Sequence, residues 1–444
     1  MTDGGSEVTA MPEAGSDGAA APVLGTRGTA WRPETRLYSD GVVIGADGTP
    51  VIVPPHSALE RVPATGLLAP GGHLSGAAEA TDAAVRRERE WLGSADVPAA
   101  GSPWEDMART ALIDIRTLLH PDGAMVAAAS PFWRYVWPRD AAFCVVALAL
   151  CGLGDAALRV LRYVAAMQEP DGTWQARYLP DGSRRVPDDR GTQLDGIGWT
   201  LWAAWLLWHT EPARELAPVV PALTGAAAAL DAAVDPASGL PRPSPDYWEK
   251  ATADVTLGTA APLLLGARAG ARVLHGLGAR DAARRCASVE ARLGPGIERH
   301  FAGEGYPRRR GGGRDASVAF LLPPFAPAAP RPRAAWHRTL AALRLSNGGV
   351  RPGEEWPDTA TAWTPQLSLF AMTAACLGEL GPAARLLDWL DAHRTRLGAL
   401  PEKVTADGRP AAVAPLALTG ASALIALHAL DGRPVPVPAA VPPT

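Results

Sequence analysis

At 444 residues and 47% hydrophobic, the chain is long enough for one large domain or two ordinary ones and can bury a sizeable core. Its formal charge of −4, with arginines scattered or in short runs such as Arg308–Arg310, gives no basic stripe of the kind nucleic acid requires. The four cysteines, Cys144, Cys151, Cys286 and Cys376, lie in apolar stretches without C-x-x-C or Cys/His spacing, so they read as small core residues and not as metal ligands.

Residues 1–25 are acidic and poor in large apolar side chains, which predicts disorder, and they lack the basic and apolar regions of a secretory signal. No uninterrupted apolar run reaches the roughly 18 residues of a membrane span. The expected location is therefore the cytoplasm, without a membrane partner. Residues 26–100 are expected to form an N-terminal extension. Within it, RLYSDGVVIGADGTPVIVPP places two β-branched runs around a Gly-containing turn and predicts a hairpin, and AATDAAVRREREWL predicts a helix.

Residues 101–432 are helical in pattern almost throughout. About twelve segments start near 104, 140, 155, 192, 213, 252, 280, 314, 333, 363, 382 and 415, separated by Gly-, Pro- and Asp-rich breaks such as HPDGA, EPDGTW and GELGP. Segments such as DAAFCVVALALCGLG are apolar nearly all round and must be buried on most sides. Buried helices alternating with amphipathic ones predict an all-α fold of two concentric layers, an (α/α)6 toroid. An α-solenoid is the alternative, but the chain shows no strict repeat of the length solenoids use. Residues 433–444 are Pro-rich and predict an extended tail.

Five clusters gather charged and aromatic residues at helix starts, where scaffolds present function. In Phe132–Asp140, Asp140 suits a helix N-cap, yet Arg139 and Asp140 beside Trp133, Tyr135 and Trp137 also suit a sugar: ionic groups bind hydroxyls and rings cover pyranose faces. In Gln168–Trp174, the Asp171-Gly172 pair marks a turn and Trp174 is either packing or a stacking platform. Asp195 opens a helix carrying Trp199, Trp202, Trp205 and Trp208. Those rings read as core, and Asp195 as a cap or a hydroxyl binder. In Ser244–Lys250, Glu249 lies between Trp248 and an apolar helix, where desolvation would favour the protonated form a general acid needs; a surface glutamate is the alternative. Glu402, in LPEKV before the last long helix, is by itself a loop carboxylate. Together the set fits inverting glycoside hydrolysis, which needs a protonated carboxyl and a second carboxylate about 6.5–9.5 Å away to activate water. A closed fold is required to bring Glu249 and Glu402 together. The chain's two lysines, Lys250 and Lys403, each directly follow one of these glutamates. An ammonium folded against its neighbour would suit Glu402 as a base and hinder Glu249 as an acid. Successive side chains often point apart, so the sequence gives the lysines no role.

From about Trp104 to Leu430, the ordered motifs resemble the glucoamylase-like family of glycoside hydrolases. WPRDAAF is similar to its W-x-R-D segment, in which Arg139 and Asp140 would hold the terminal glucose. Gln168 with DGTW is similar to its Q-x-x-D-G segment, and QLDG to the segment that places Asp195 near the pocket. DYWEK is similar to D-x-W-E, in which Glu249 would be the general acid, and RDASVAFLLPPF to D-x-S-L-L-x-L. LPEKV is similar to L-P-E-Q-V, in which Glu402 would be the general base. The resemblance implies an (α/α)6 barrel, a pocket walled by Trp137, Trp174 and Trp248, and single displacement with inversion. Exo-attack on an oligosaccharide α-glucoside would release β-glucose without metal or organic cofactor. Leu418 stands where many relatives have an aromatic. A trehalase of the same family and a non-catalytic sugar-binding toroid are the alternatives.

Overall fold

The computed structural model describes residues 36–211 and 215–439. The N-terminal segment expected to be disordered and the last five residues of the Pro-rich tail lie outside the described residues.

The hairpin forms where the β-branched runs stand: β1 (Gly41–Ile44) pairs antiparallel with β2 (Pro50–Val53), in register Gly41↔Val53 to Ile44↔Pro50. Its turn is built by Asp47, whose carboxylate accepts from the Thr49 amide at 2.9 Å, with Gly48 at φ 80°. α1 (Asp82–Gly93) follows, capped by Thr81, whose hydroxyl accepts from Ala84 N at 3.2 Å. It is joined to α2 (Glu105–Leu118) by the Arg116–Glu88 ion pair at 3.2 Å.

The helices that follow fall into two kinds. α3 (Pro138–Leu150), α5 (Asp195–Thr210), α7 (Leu257–Gly276), α10 (Thr364–Cys376) and α12 (Ala417–Leu430) are buried over most of their residues. α4 (Gly154–Ala166), α6 (Val220–Ala233), α8 (Arg280–Phe301), α9 (Pro330–Leu343) and α11 (Leu380–Ala392) bury a face and expose the rest. In α8, for example, Ala282, Cys286, Val289, Leu293, Ile297 and Phe301 recur at helical spacing and are buried. The buried elements contact one another in the order α3, α5, α7, the 3-10 helix Ala316–Leu321, α10, α12, and α12 returns to α3. The ring therefore closes, and this positions the site. The half-exposed helices pack outside it: α4 on α3 and α5, α6 and α8 on α7, α9 on the 3-10 helix, α11 on α10 and α12, and α2 on α12.

The ring is sealed by small residues and large rings. A Cβ on Gly198 would meet Pro262 O at 2.0 Å, so α5 and α7 approach to backbone contact there. Between the inner elements, Phe143, Trp199, Trp202, Phe320 and Phe325 form one aromatic cluster with ring centroids 5.0–5.9 Å apart. Each such pair contributes about 0.5–1.5 kcal/mol beyond its buried area. The tryptophans expected in the core are there: Trp199, Trp202 and Trp205 are buried, and Trp208 is half-buried. Cys144, Cys151 and Cys286 are buried and Cys376 half-buried, all as free thiols.

Three expectations need correcting. The segment expected from 314 is a six-residue 3-10 helix, because Pro323 and Pro324 stop it. The helix expected from 213 starts at Val220, behind a 3-10 turn with Pro218 and Pro221 at its boundary. A small sheet went unforeseen: β3 (Ala362–Trp363), β4 (Lys403–Val404) and β5 (Pro410–Ala411) pair antiparallel in that order. The segment leading into the hairpin docks beside it, with Tyr38 N donating to Ala412 O at 2.8 Å and Ser39 Oγ to Ala414 O at 2.5 Å. No described helix is long and apolar enough to cross a membrane, and no described group of three His, Cys, Asp or Glu side chains could hold a metal ion.

Candidate active site

The turn Phe132–Asp140 leads into α3, with Pro138 fixing the first helical φ. Neither Asp140 nor Asp195 is a side-chain N-cap. Asp140 is the third residue of α3 and Asp195 the first of α5, so both carboxylates face the positive ends of ring helices. Between them lies Arg139, buried. Its guanidinium reaches Asp140 Oδ2 at 3.7 Å and Asp195 Oδ2 at 3.2 Å. It also donates to Gln193 Oε1 at 3.3 Å and lies 3.4 Å from Glu249 Oε1. Trp199 Nε1 donates to Asp195 Oδ2 at 3.1 Å. Burial, partly offset by Arg139, pushes Asp140 up to about 6, with the nearby charges of Asp195 and Glu402 adding to the rise. Burial raises Asp195 as well.

Glu249 sits on a strained turn. Its backbone has φ 55°, in the left-handed region that costs a non-glycine residue about 1 kcal/mol or more. Three neighbours hold it there. The Glu249 amide donates to Asp246 O at 2.7 Å, the Trp248 amide donates to Asp246 Oδ1 at 3.0 Å, and Arg308 pairs with Asp246 Oδ1 at 2.8 Å. Below the turn, buried Asp315 accepts from Tyr247 Oη at 2.6 Å, Trp248 Nε1 at 3.0 Å and Ser317 N at 2.9 Å. Burial and the charge of Asp246 push Asp315 up to about 6. The Glu249 carboxylate is half-buried and fully engaged. Trp137 Nε1 donates to Oε1 at 2.6 Å, and Arg190, from the loop before α5, pairs with Oε2.

Glu402 lies at the entrance to β4. Its amide donates to Val413 O at 2.8 Å, and its carbonyl accepts from Thr364 N at 3.0 Å. The residue is 8% exposed. Trp133 Nε1 donates to Oε1 at 3.3 Å, whereas Oε2 is buried without a hydrogen-bond partner among the described residues. The two lysines part company here. Lys403 Nζ is 3.9 Å from Glu402 Oε2 and 4.3 Å from the ring of Trp363. Lys250 turns over the rings of Trp356, at 4.8 Å, and Trp248, at 5.8 Å.

One turn thus serves both glutamates: Trp133 binds Glu402, Trp137 binds Glu249, and Arg139 and Asp140 extend the network. Of the residues singled out in sequence, Arg139, Asp140, Asp195, Trp137 and Glu249 form one connected group, and Asp140 also feels the charge of Glu402. Trp248 stands beside it, nearly buried, with Arg308 over its ring at 4.1 Å and Trp356 edge-on at 4.9 Å. Trp174 is placed elsewhere. It has no exposed surface and donates to Val164 O at 2.8 Å within the main core, so it offers no face for stacking. Gln168 is structural too, donating to Gly172 O at 3.0 Å and Ala222 O at 2.8 Å. Sequence reasoning missed Arg190, Trp133 as the partner of Glu402, and Asp315 as the support of Trp248. Leu418 is half-buried against a small apolar cluster that includes Trp137 and Leu416.

No family model matches the chain. Over 99 residues the chain is 33% identical to an uncharacterized glycosyl hydrolase of Methanocaldococcus jannaschii, a match spanning 22% of this chain and 16% of that protein's length. Among solved structures it is similar to a wild-type glycosidase, with a TM-score of 0.65 at 20% identity, covering 74% of this chain and 97% of that one. It is also similar to a bacterial glucoamylase complexed with acarbose, with a TM-score of 0.61 at 13% identity, covering 80% and 59%. The glucoamylase of Saccharomycopsis fibuligera gives a TM-score of 0.60 at 11% identity, covering 71% and 90%. At these identities the likeness establishes the fold alone: a mostly helical, glucoamylase-like architecture.

Proposed function

We propose that the protein is an inverting, exo-acting glycoside hydrolase that releases β-glucose from the non-reducing end of an α-glucoside. In this reading residues 101–432 form the catalytic toroid of six helical hairpins. The observation that carries it is the single turn whose Trp133 and Trp137 hold Glu402 and Glu249, two carboxylates from distant parts of the chain. Glu249 protonates the leaving oxygen, and Glu402 takes a proton from water as the water attacks the anomeric carbon. Arg139, Asp140 and Asp195 bind hydroxyls of the terminal sugar, and Trp137 and Trp248 supply apolar surface. Glycosidases among the similar structures support the reading.

The test is sugar release from maltose, maltotriose, isomaltose, dextran and trehalose. Glu249→Gln and Glu402→Gln serve as controls, and NMR identifies the anomer first formed. The expected outcome is β-glucose from at least one substrate and a loss of at least about 10³-fold in both variants, since each removes an acid–base partner. Activity confined to trehalose would make the protein a trehalase. Binding of these sugars without turnover would make it a sugar-binding toroid.

A further inference from the structure

The two lysines are the part of the sequence pattern that this chemistry leaves unused. Arginine supplies nearly all of the chain's basic side chains, so something at positions 250 and 403 calls for an ammonium. The structure gives a reason at 403. Lys403 is buried and is the cross-strand partner of Trp363, over whose ring its Nζ lies. From there it stands 3.9 Å from Glu402 Oε2, too far for a hydrogen bond but near enough for its charge to act in a site shielded from water.

The charged and polar groups around Glu402 divide its two oxygens. The Trp133 indole occupies Oε1. Asp140, itself next to Arg139, brings a negative charge to the same region. Oε2 is left buried and without a hydrogen-bond partner among the described residues, with the ammonium beside it and not on it. An arginine could not take this post. Its planar fork would pair bidentately with the carboxylate and fill the oxygen that must accept a proton.

We propose, resting on the reading above, that Lys403 is a positioning residue for the attacking water. Nζ donates to the water oxygen while Glu402 Oε2 accepts one of the water's protons. As the water oxygen bonds to the anomeric carbon, the glycosidic electron pair leaves on the departing oxygen, which takes its proton from Glu249. Glu402 ends protonated and Lys403 is unchanged. The ammonium also offsets the charge that Asp140 imposes on Glu402.

The test compares Lys403→Met and Lys403→Arg with the wild-type enzyme on whichever glycoside it hydrolyses, with melting temperature as the control for folding. Lys403→Met should lower kcat about 10²-fold, the scale of losing one preorganised donor, with KM within about twofold. Lys403→Arg keeps the charge but fills Oε2, so it should lose kcat as well. Wild-type kcat in Lys403→Met, or wild-type kcat in Lys403→Arg, would overturn the proposal and reduce Lys403 to a packing partner of Trp363. If Lys403→Met does not fold, Lys403→Arg decides alone. Full activity in Glu402→Gln, or no release from any glycoside by the wild-type protein, would instead overturn the reading of the site and take this proposal with it.

Discussion

Asp315 shows how much a single buried carboxylate carries. It touches no part of the region where substrate would sit, yet its two oxygens hold Tyr247, Trp248 and Ser317 and so fix the strained turn that presents Glu249. Asparagine in its place must turn an NH2 toward one of those donors. Asp315→Asn should therefore cost about 1–3 kcal/mol in denaturant unfolding. Its pH dependence follows from linkage. The folded-state value, near 6, lies above the ordinary 3.8, so the stability linked to this group is fully present below about 4 and is lost as pH rises through 6. His428 works the other way. Burial pushes it down to about 4 from 6.5, so its contribution is present above 6.5 and is lost as pH falls toward 4. The two tend to cancel in the wild-type protein. The difference in melting temperature between wild type and Asp315→Asn should therefore widen as pH falls from 7 to 5. A constant difference would show that Asp315 does not titrate in that window. Asp140 shares the elevated value, and if it accepts from sugar hydroxyls as proposed, affinity should fall below about pH 6, seen as a fall in kcat/KM.

Among the elements, the loop before α5 reaches Glu249 from outside the ring helices. Arg177 and Arg190 both pair with Asp188, and Arg190 continues to Glu249 Oε2, the oxygen that would meet the leaving group. Arg190→Gln should lower KM several-fold with kcat little changed, because a half-exposed ion pair worth roughly 1 kcal/mol no longer has to be displaced. A higher KM would show that Arg190 binds sugar instead. This loop also marks where sequence reading runs out. SRRVPDDRG has the composition of any solvated loop, and nothing local distinguishes Arg190 from Arg185, which pairs only with the nearby Asp181 among the described residues. The helices were legible because Gly and Pro punctuate them and because apolar residues recur at helical spacing, as in α8. The strands β3 to β5 were not, since two residues show no periodicity. Trp174 misled for a related reason: an aromatic after an Asp-Gly turn looks the same in sequence whether the turn folds inward or outward. Glu249 and Glu402 were legible as candidates, but their shared partner turn exists only once the ring has closed.

At the scale of the molecule, the hairpin segment belongs to the same compact unit as the helical ring. Tyr38 pairs through its backbone with Ala412 and packs its ring 6.2 Å from that of Trp133, the residue that holds Glu402. Arg61 adds a buried ion pair to Asp114 of α2 at 2.5 Å. Tyr38→Ala should consequently lower kcat more than it raises KM, with a loss of about 1–2 kcal/mol of stability for a half-buried ring. Unchanged kcat would show that Trp133 needs no support from the extension.

The contact between Tyr38 and Ala412 also has a consequence for biosynthesis. Everything between Tyr38 and Ala412 must leave the ribosome before the segment that follows Glu402 can meet Tyr38, and α12 must follow before α3 gains its last ring neighbour. Contacts this distant in sequence are slow to form, and the face of α3 that α12 covers stays open meanwhile. A nascent chain that stops short of residue 402 has made most of the ring and none of the proposed water-activating machinery. Competence for the proposed chemistry waits until Glu402, and then α12, have emerged.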